Sequence, residues 1–193
     1  EGTSCTGVAL TDGSCTITNT LNTAQFTVNK DFSDDATDIV GVSLSCETGD
    51  VLPAGVQDLS EAAPVQFTVD GFTDDPNCTA VESNIPAGYT SDATACTAVA
   101  LSTGSCTINN AVNTGTFTVR KTFTDDNPMS VEVTATCTPP AVVDNNSQQA
   151  SMTASAIFDV SYVIDGETTC TAVEVVPPGY EVDDSSCQAP TAI

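Results

Sequence analysis

The stretch that decides the fold occurs twice, as "CTGVALTDGSCTITN" at residues 5–19 and as "CTAVALSTGSCTINN" at residues 96–110. Each copy alternates small apolar residues with Thr or Ser, breaks at a Gly-containing turn and resumes the alternation, which is the pattern of short β-strands. A third copy is due at Cys187, where the sequence reads "CQAPTAI" up to residue 193. The cysteines carry the period. Cys5, Cys96 and Cys187 are spaced by 91 residues, as are Cys15 and Cys106, and Cys46 and Cys137, while Cys78 and Cys170 are 92 apart. The text between them agrees: "FTVNKDFSDD" (26–35) matches "FTVRKTFTDD" (117–126), and "CTAVESNIPAGY" (78–89) matches "CTAVEVVPPGY" (170–180). The 193 residues therefore hold two copies of a unit of about 90 residues, an ordinary small-domain size.

Strand signals run throughout. "AQFTVNK", "DIVGVSLSC", "VQFTVDGF" and "CTAVES" are rich in Thr and Val, and clusters such as "TDDPN", "PAGYTSD" and "STGS" separate them. Only "DLSEAAP" (58–64) has the composition of a helical turn. Short strands between frequent turns imply β-sandwiches.

Charge narrows the function. Twenty-six acidic residues face only three basic ones, Lys30, Arg120 and Lys121, for a net charge of −23. Phosphate binding needs Lys/Arg patches, so this balance argues against nucleic acid and anionic membranes as partners, and it favours solubility. No apolar run approaches the roughly 20 residues of a spanning helix, so no membrane insertion is expected. Neither His nor Trp is present, and no CxxC pair occurs. Nine cysteines in that pattern argue for disulfides and an oxidising, extracellular or cell-surface location. The repeat suggests Cys96 facing Cys106 across a hairpin, Cys5 facing Cys15 likewise, and Cys46–Cys78 and Cys137–Cys170 tying strands within each unit. Cys187 is left over, which suggests a bond between chains or a free thiol. Sequence alone does not settle the connectivity.

A Lys-bearing strand "FTVNKD", a following "VESNIPAGY" and a closing strand "TITN" resemble the CnaB-type, prealbumin-like β-sandwich repeats of bacterial surface proteins and pilins. The cysteines depart from that family, many of whose repeats have none. The resemblance implies an all-β chain of two tandem Ig-like or prealbumin-like β-sandwich domains. In the family's phase, residues 23–112 form a complete first domain and residues 113–193 a second that lacks its final hairpin. Residues 1–22 are then a spare hairpin with the missing text. A sandwich without its last strand exposes unpaired backbone and an apolar slot, and an isolated hairpin is marginal in water. The expectation is a head-to-tail homopolymer in which the N-terminal hairpin completes the second domain of the next subunit, through Val8, Leu10, Cys15 and Ile17. The chain's partner is then itself.

Three residue types fall on the core face of each unit. Alternation aligns Lys30 with Phe26 and Val28, Glu82 with Cys78 and Ala80, and Asn110 with Cys106 and Ile108. Lys121, Glu174 and, at the N-terminus, Asn19 are the equivalents. A buried Lys loses charge more readily, and a neighbouring Glu moves protons. The resemblance implies an autocatalytic isopeptide bond, Lys30 to Asn110 with Glu82 assisting, and Lys121 to the neighbour's Asn19 with Glu174 assisting. The alternative is a Lys–Glu ion pair capped by Asn, or strand-end lysines reaching solvent.

The acidic turns place Asp34 and Asp35, and Asp125 and Asp126, as candidate Ca²⁺ ligands, although none fits an EF-hand pattern. No other cofactor is expected. An enzyme finds no His, reactive-Cys signature or metal cluster to work with. A structural filament subunit fits the repeat, the disulfides and the phase together. The rival is a secreted adhesin or stalk module binding a carbohydrate or protein.

Overall fold

The computed structural model describes residues 14–188 and the backbone of residues 191 and 192. Cys5, Val8 and Leu10 lie outside the described residues. The strands of the first half are β1 Thr23–Phe32, β2 Val40–Cys46, β3 Asp50–Leu52, β4 Gln57–Leu59, β5 Val65–Asp70, β6 Asn77–Ser83, β7 Tyr89–Asp92, β8 Val99–Ala100 and β9 Ser105–Val112. The second half holds β10 Thr114–Val119, β11 Val131–Cys137, β12 Val142–Val143, β13 Ser147–Ala150, β14 Ala156–Ser161, β15 Thr169–Glu174 and β16 Thr191–Ala192, with a single helical turn α1 at Ser185–Gln188.

In the first half a five-stranded sheet, β3-β5-β1-β9-β7, packs on a four-stranded sheet, β4-β2-β6-β8. Period-2 alternation sends Phe26, Val28 and Phe32 of β1 into the core, against Val42 and Leu44 of β2, Phe67 of β5 and Ile108 of β9. The second half repeats the four-stranded sheet as β13-β11-β15-β16. Its other sheet has three strands, β10-β14-β12, in the order of β1-β5-β3. Among the described residues nothing stands where β9 and β7 stand in the first half. A separate cluster around Phe117, Val133, Phe158 and Ala172 forms its core.

One consequence is visible in β10. "FTVNKDF" is strand to its end at Phe32, whereas the matching "FTVRKTF" is strand only as far as Val119. In β1, residues 23–28 pair with β5 and residues 27–32 pair with β9. In β10, residues 114–119 pair with β14, and residues 120–123 have no strand beside them among the described residues. Extended backbone holds where a ladder holds it, so near-identical text forms strand in one half and irregular chain in the other.

Three disulfides join one described residue to another. Cys46–Cys78 and Cys137–Cys170 each join directly opposed residues of neighbouring strands, with Cα atoms 4.0 Å apart. Cys96–Cys106 is also bonded, but not across a hairpin. β8 joins the four-stranded sheet beside β6, while β9 lies in the other sheet. Both edges of β9 are occupied, by β1 and β7, which leaves no edge for a hairpin partner. Residues 96–106 therefore cross between sheets, and the disulfide joins a 3-10 turn at Thr94–Cys96 to β9. Residues 58–64, whose composition allows a helical turn, form none. Ser60 and Ala63 exchange backbone hydrogen bonds around a tight reversal, and Glu61 at its tip accepts the Phe32 N–H.

A single residue, Asn113, connects β9 to β10. Its side-chain amide donates to the Val163 carbonyl (3.1 Å), its backbone carbonyl accepts from the Val163 N–H (3.1 Å), and its side-chain oxygen accepts from Thr90. Tyr162 bridges the halves. Its hydroxyl donates to Asp34 (2.7 Å), as does that of Tyr89 (2.9 Å), and the two rings meet edge to face. These bonds, Tyr162's first, hold the Asp34 carboxyl below the usual carboxylate range. Burial, with the bond to Asp34, raises the Tyr89 hydroxyl well above the ordinary phenol value. Asp34 is thus committed to tyrosines, and among the described residues no three acidic, His or Cys side chains converge on a common metal position.

Gly88 makes this joint close. Its φ is +86°, and a Cβ there would lie 2.7 Å from the Tyr162 Cα. Gly104, at φ +78°, has open space around it. Gly104→Ala is expected to lose about 1 kcal/mol, the left-handed penalty alone, and Gly88→Ala roughly 3 kcal/mol, because backbone must also move. Urea denaturation of the two variants measures the difference.

Candidate functional site

Lys30, Glu82 and Asn110 meet inside the first half. β1 carries Lys30 inward between Val28 and Phe32, β6 brings Glu82 from the facing sheet, and β9 brings Asn110 beside Phe32. The side chains of Lys30 and Glu82 are 0% and 2% exposed, with Nζ 3.6 Å from Glu82 Oε1. The same Oε1 accepts from Asn110 Nδ2 at 2.9 Å, and Oε2 accepts from the Ser91 hydroxyl. Lys30 Nζ also donates to the carbonyls of Asp31 and Ile108, each at 3.2 Å, and lies 4.2 Å from the centre of the Phe32 ring. Burial pulls the Lys30 ammonium below its ordinary value, and Glu82 opposes that pull. Asn110 Oδ1 is buried with no hydrogen-bond partner. An orphaned carbonyl oxygen is costly in a core, and it marks Asn110 as held by its nitrogen alone.

This arrangement can do two things. It can persist as a buried ion pair, or it can react. An amine losing its proton to Glu82 would face a carboxamide whose nitrogen already lies on that carboxylate, so the group that takes the proton also contacts the leaving group.

The second half holds two members of the set. Lys121 donates to Glu174 at 2.8 Å and lies 4.7 Å from the Phe123 ring centre, but the side chains are 16% and 11% exposed. The pair opens onto a groove lined by Val119, Phe123, Val133, Ala172, Val182 and Cys187. In the first half β9 fills that place.

The text of β9 recurs in residues 14–19, "SCTITN" against "SCTINN". This segment forms no strand and is exposed throughout. Ile17 is 63% exposed, whereas its counterpart Ile108 is 0% exposed. Cys15 is disulfide-bonded. Asn19, like Ile17, is exposed.

Sequence reading missed several groups. Ser91, on the short strand β7 beside Asn110, donates to Glu82, and Glu61, at the tip of a tight reversal, accepts the Phe32 N–H. Tyr180 repeats the Tyr89 contact, donating to Asp125 at 2.9 Å and stacking edge to face on Phe123, and the shared "GY" text was the available signal.

No family model matches the chain, and no curated protein does. Among solved structures it is similar to the shaft pilin spaA of Lactobacillus rhamnosus GG, at 16% identity over 83% of this chain and 90% of that one, with a TM-score of 0.37. It is also similar to a B repeat unit of the collagen-binding surface protein Cna of Staphylococcus aureus, at 14% identity over 89% and 96%, TM-score 0.29. The major pilin of Streptococcus pyogenes is a third, at 12% identity over 80% and 82%, TM-score 0.39.

Removing one partner of a buried pair strands the other charge. Glu82→Ala is expected to lower stability by roughly 3–5 kcal/mol, and Glu174→Ala by about 1 kcal/mol because water reaches Lys121. Equilibrium denaturation of the two variants checks the ranking.

Proposed function

We propose that the chain is the structural subunit of an extracellular filament, assembled head to tail by strand donation. One observation carries this reading. Residues 14–19 repeat the text of β9 but lie exposed outside any sheet, while among the described residues β10 has no neighbour on the side where β1 has β9. One segment has strand chemistry and no sheet, and among the described residues one sheet has an unpaired edge beside the groove that holds Lys121 and Glu174. Strand addition satisfies both.

The register follows from the repeat. β9 runs parallel to β1 with Ser105 opposite Thr27 and Asn110 opposite Phe32. A donated Ser14–Asn19 strand would run parallel to residues 118–123 of the neighbour, with Ile17 entering the core and Asn19 reaching the Lys121–Glu174 pair. Burying Ile17 contributes roughly 1.5–3 kcal/mol and each new backbone hydrogen bond about 1 kcal/mol. Residues 14–22 carry no charged side chain, so an acidic acceptor does not repel them.

The donor's own second half is a poor recipient. β1 and β9 are parallel, and β9 ends at the joint, so Thr23 lies at the far end of the first half. β1 spans about 33 Å, and the nine residues from 14 to 22 reach about 30 Å fully extended. A second copy is the occupant. One patch meets a different patch, and such contacts propagate when they do not close a ring. The disulfides support an oxidising, extracellular setting.

The same strand would complete a covalent bond. Lys30 passes a proton to Glu82 and Nζ attacks Asn110 Cγ. Glu82 hands that proton to Nδ2, which leaves as ammonia as the C–N bond breaks. Glu82 takes up the second proton that Nζ sheds and ends protonated beside the new amide. Lys121, Glu174 and the neighbour's Asn19 do the same across the junction.

Purified full-length protein is expected to form fibres in negative stain, and deletion of residues 1–22 to abolish them. A concentrated full-length monomer, unchanged by the deletion, would contradict the filament and favour a secreted binding module. The intact mass of monomer is expected to fall short by one ammonia, with the deficit absent in Asn110→Ala. Fibres boiled in detergent with reductant should leave a ladder that Asn19→Ala removes. Full mass and no ladder would leave the ion pair as the role of these residues.

A further inference from the structure

We propose that each filament junction is sealed by thiol–disulfide exchange between Cys187 of the accepting subunit and Cys15 of the donated strand. The inference rests on the strand-donation reading and adds a bond that docking alone does not require.

The first half displays the product. Cys96, on the turn before β8, is bonded to Cys106 of β9, with Cα atoms 5.2 Å apart. Cys187 is the repeat equivalent of Cys96, and Cys15 of Cys106. The turn that presents Cys187 is built like its counterpart. Asp92 accepts from the Thr94 N–H (2.9 Å) and hydroxyl (2.6 Å), and Asp183 accepts from the Ser185 N–H (3.2 Å) and hydroxyl (2.7 Å). The Cys96 N–H donates to Ala93, and the Cys187 N–H to Asp184, the matching residue. Gln188 ties the turn to β15 through the Ala172 carbonyl (3.4 Å). Cys187 therefore sits on a preformed mount, packs on the second core, lines the groove and is unbonded among the described residues.

Cys15 arrives already oxidised. No external oxidant is then needed. The Cys187 thiolate attacks Cys15 Sγ, a Cys187–Cys15 bond forms, and the sulfur formerly bonded to Cys15 leaves as a thiolate and takes up a proton. Cys15 lies on an exposed segment outside any sheet, which leaves its sulfur open to an attacking thiolate. The new bond would occupy the site that Cys96 and Cys106 bury in the first half, with Cys106 8% exposed. Exchange conserves thiols, so the free thiol moves rather than disappears.

Fibres assembled from an equimolar mixture of ¹⁴N- and ¹⁵N-labelled full-length protein, alkylated and digested without reductant, test this by mass spectrometry. The expected result is a disulfide-linked peptide pair joining Cys15 and Cys187 that includes mixed-isotope species. Thiols per subunit should be unchanged from monomer, and alkylation should move from Cys187 to the former partner of Cys15. Fibres in which Cys187 is still alkylated would overturn the exchange and leave strand donation standing. A linked pair accompanied by a loss of thiols would overturn it in favour of oxidation. Failure to form fibres overturns both readings.

Discussion

The parallel pairing of β1 with β9 is the constraint on which the rest of this structure depends. It sets the length of β1, since residues 29–32 have no other strand partner among the described residues. It places Ile108 in the core and gives β7 its ladder, since among the described residues β7 pairs with β9 alone. It also forces residues 96–106 to cross between sheets, since a central strand has no free edge for the segment before it. In the second half, without such a strand among the described residues, β10 stops at Val119 and the counterpart of β7 is irregular. Phe117 and Val119 are correspondingly less completely covered than Phe26 and Val28. The halves share their text, so the contrast isolates what one strand contributes.

The polar cluster depends on the same pairing. A Lys–Glu pair alone tolerates water, as Lys121 and Glu174 do at the groove. Adding β9 excludes that water and brings Asn110 to Glu82. Desolvation lowers the Lys30 pKa and makes its proton easier to move, and the geometry leaves one carboxamide oxygen without a partner. Closure of the core and desolvation of the lysine are thus one event. A strand arriving from another molecule would deliver both together, which is why docking and bond formation are coupled in the reading advanced above.

Much of this was legible in the sequence because a strand's side chains alternate. Period 2 put Lys30, Glu82 and Asn110 on core faces from text alone, and the repeat, which aligns Cys46 with Cys137 and Cys78 with Cys170, suggested the Cys46–Cys78 and Cys137–Cys170 bonds that the structure contains. Alternation says which face a residue takes, but not which strand lies alongside. The parallel placement of β9 was invisible, so residues 96–106 read as a hairpin. Glu61 was hidden because a four-residue reversal and a helical turn share a composition. The Asp34–Tyr162 contact joins residues 128 apart and has no counterpart elsewhere in the repeat, so no comparison between the copies reveals it.

That missing counterpart bears on how a fibre would behave. Asn22 leads residues 14–21 into β1 as Asn113 leads β9 into β10, and its amide donates to the Phe72 carbonyl (2.9 Å) as that of Asn113 does to Val163, the matching residue. A donated strand would therefore set neighbouring subunits much as β9 sets the two halves. The match fails at one position. Tyr162 adopts a φ of +60°, and Gly71, its equivalent, adopts +70° with no side chain. Within a subunit, Tyr162 packs on Gly88 and bonds Asp34 across the joint. Between subunits, Gly71 would face the neighbour's Gly179 and Asp125 with no ring and no hydroxyl. Tyr162 tolerates its left-handed backbone only because both halves grip it, at a cost of about 1–2 kcal/mol. A fibre built this way alternates a braced joint inside each subunit with a more compliant one between subunits. Its resistance to pulling would then rest on the donated strand and its covalent bonds, not on packing between neighbouring sandwiches.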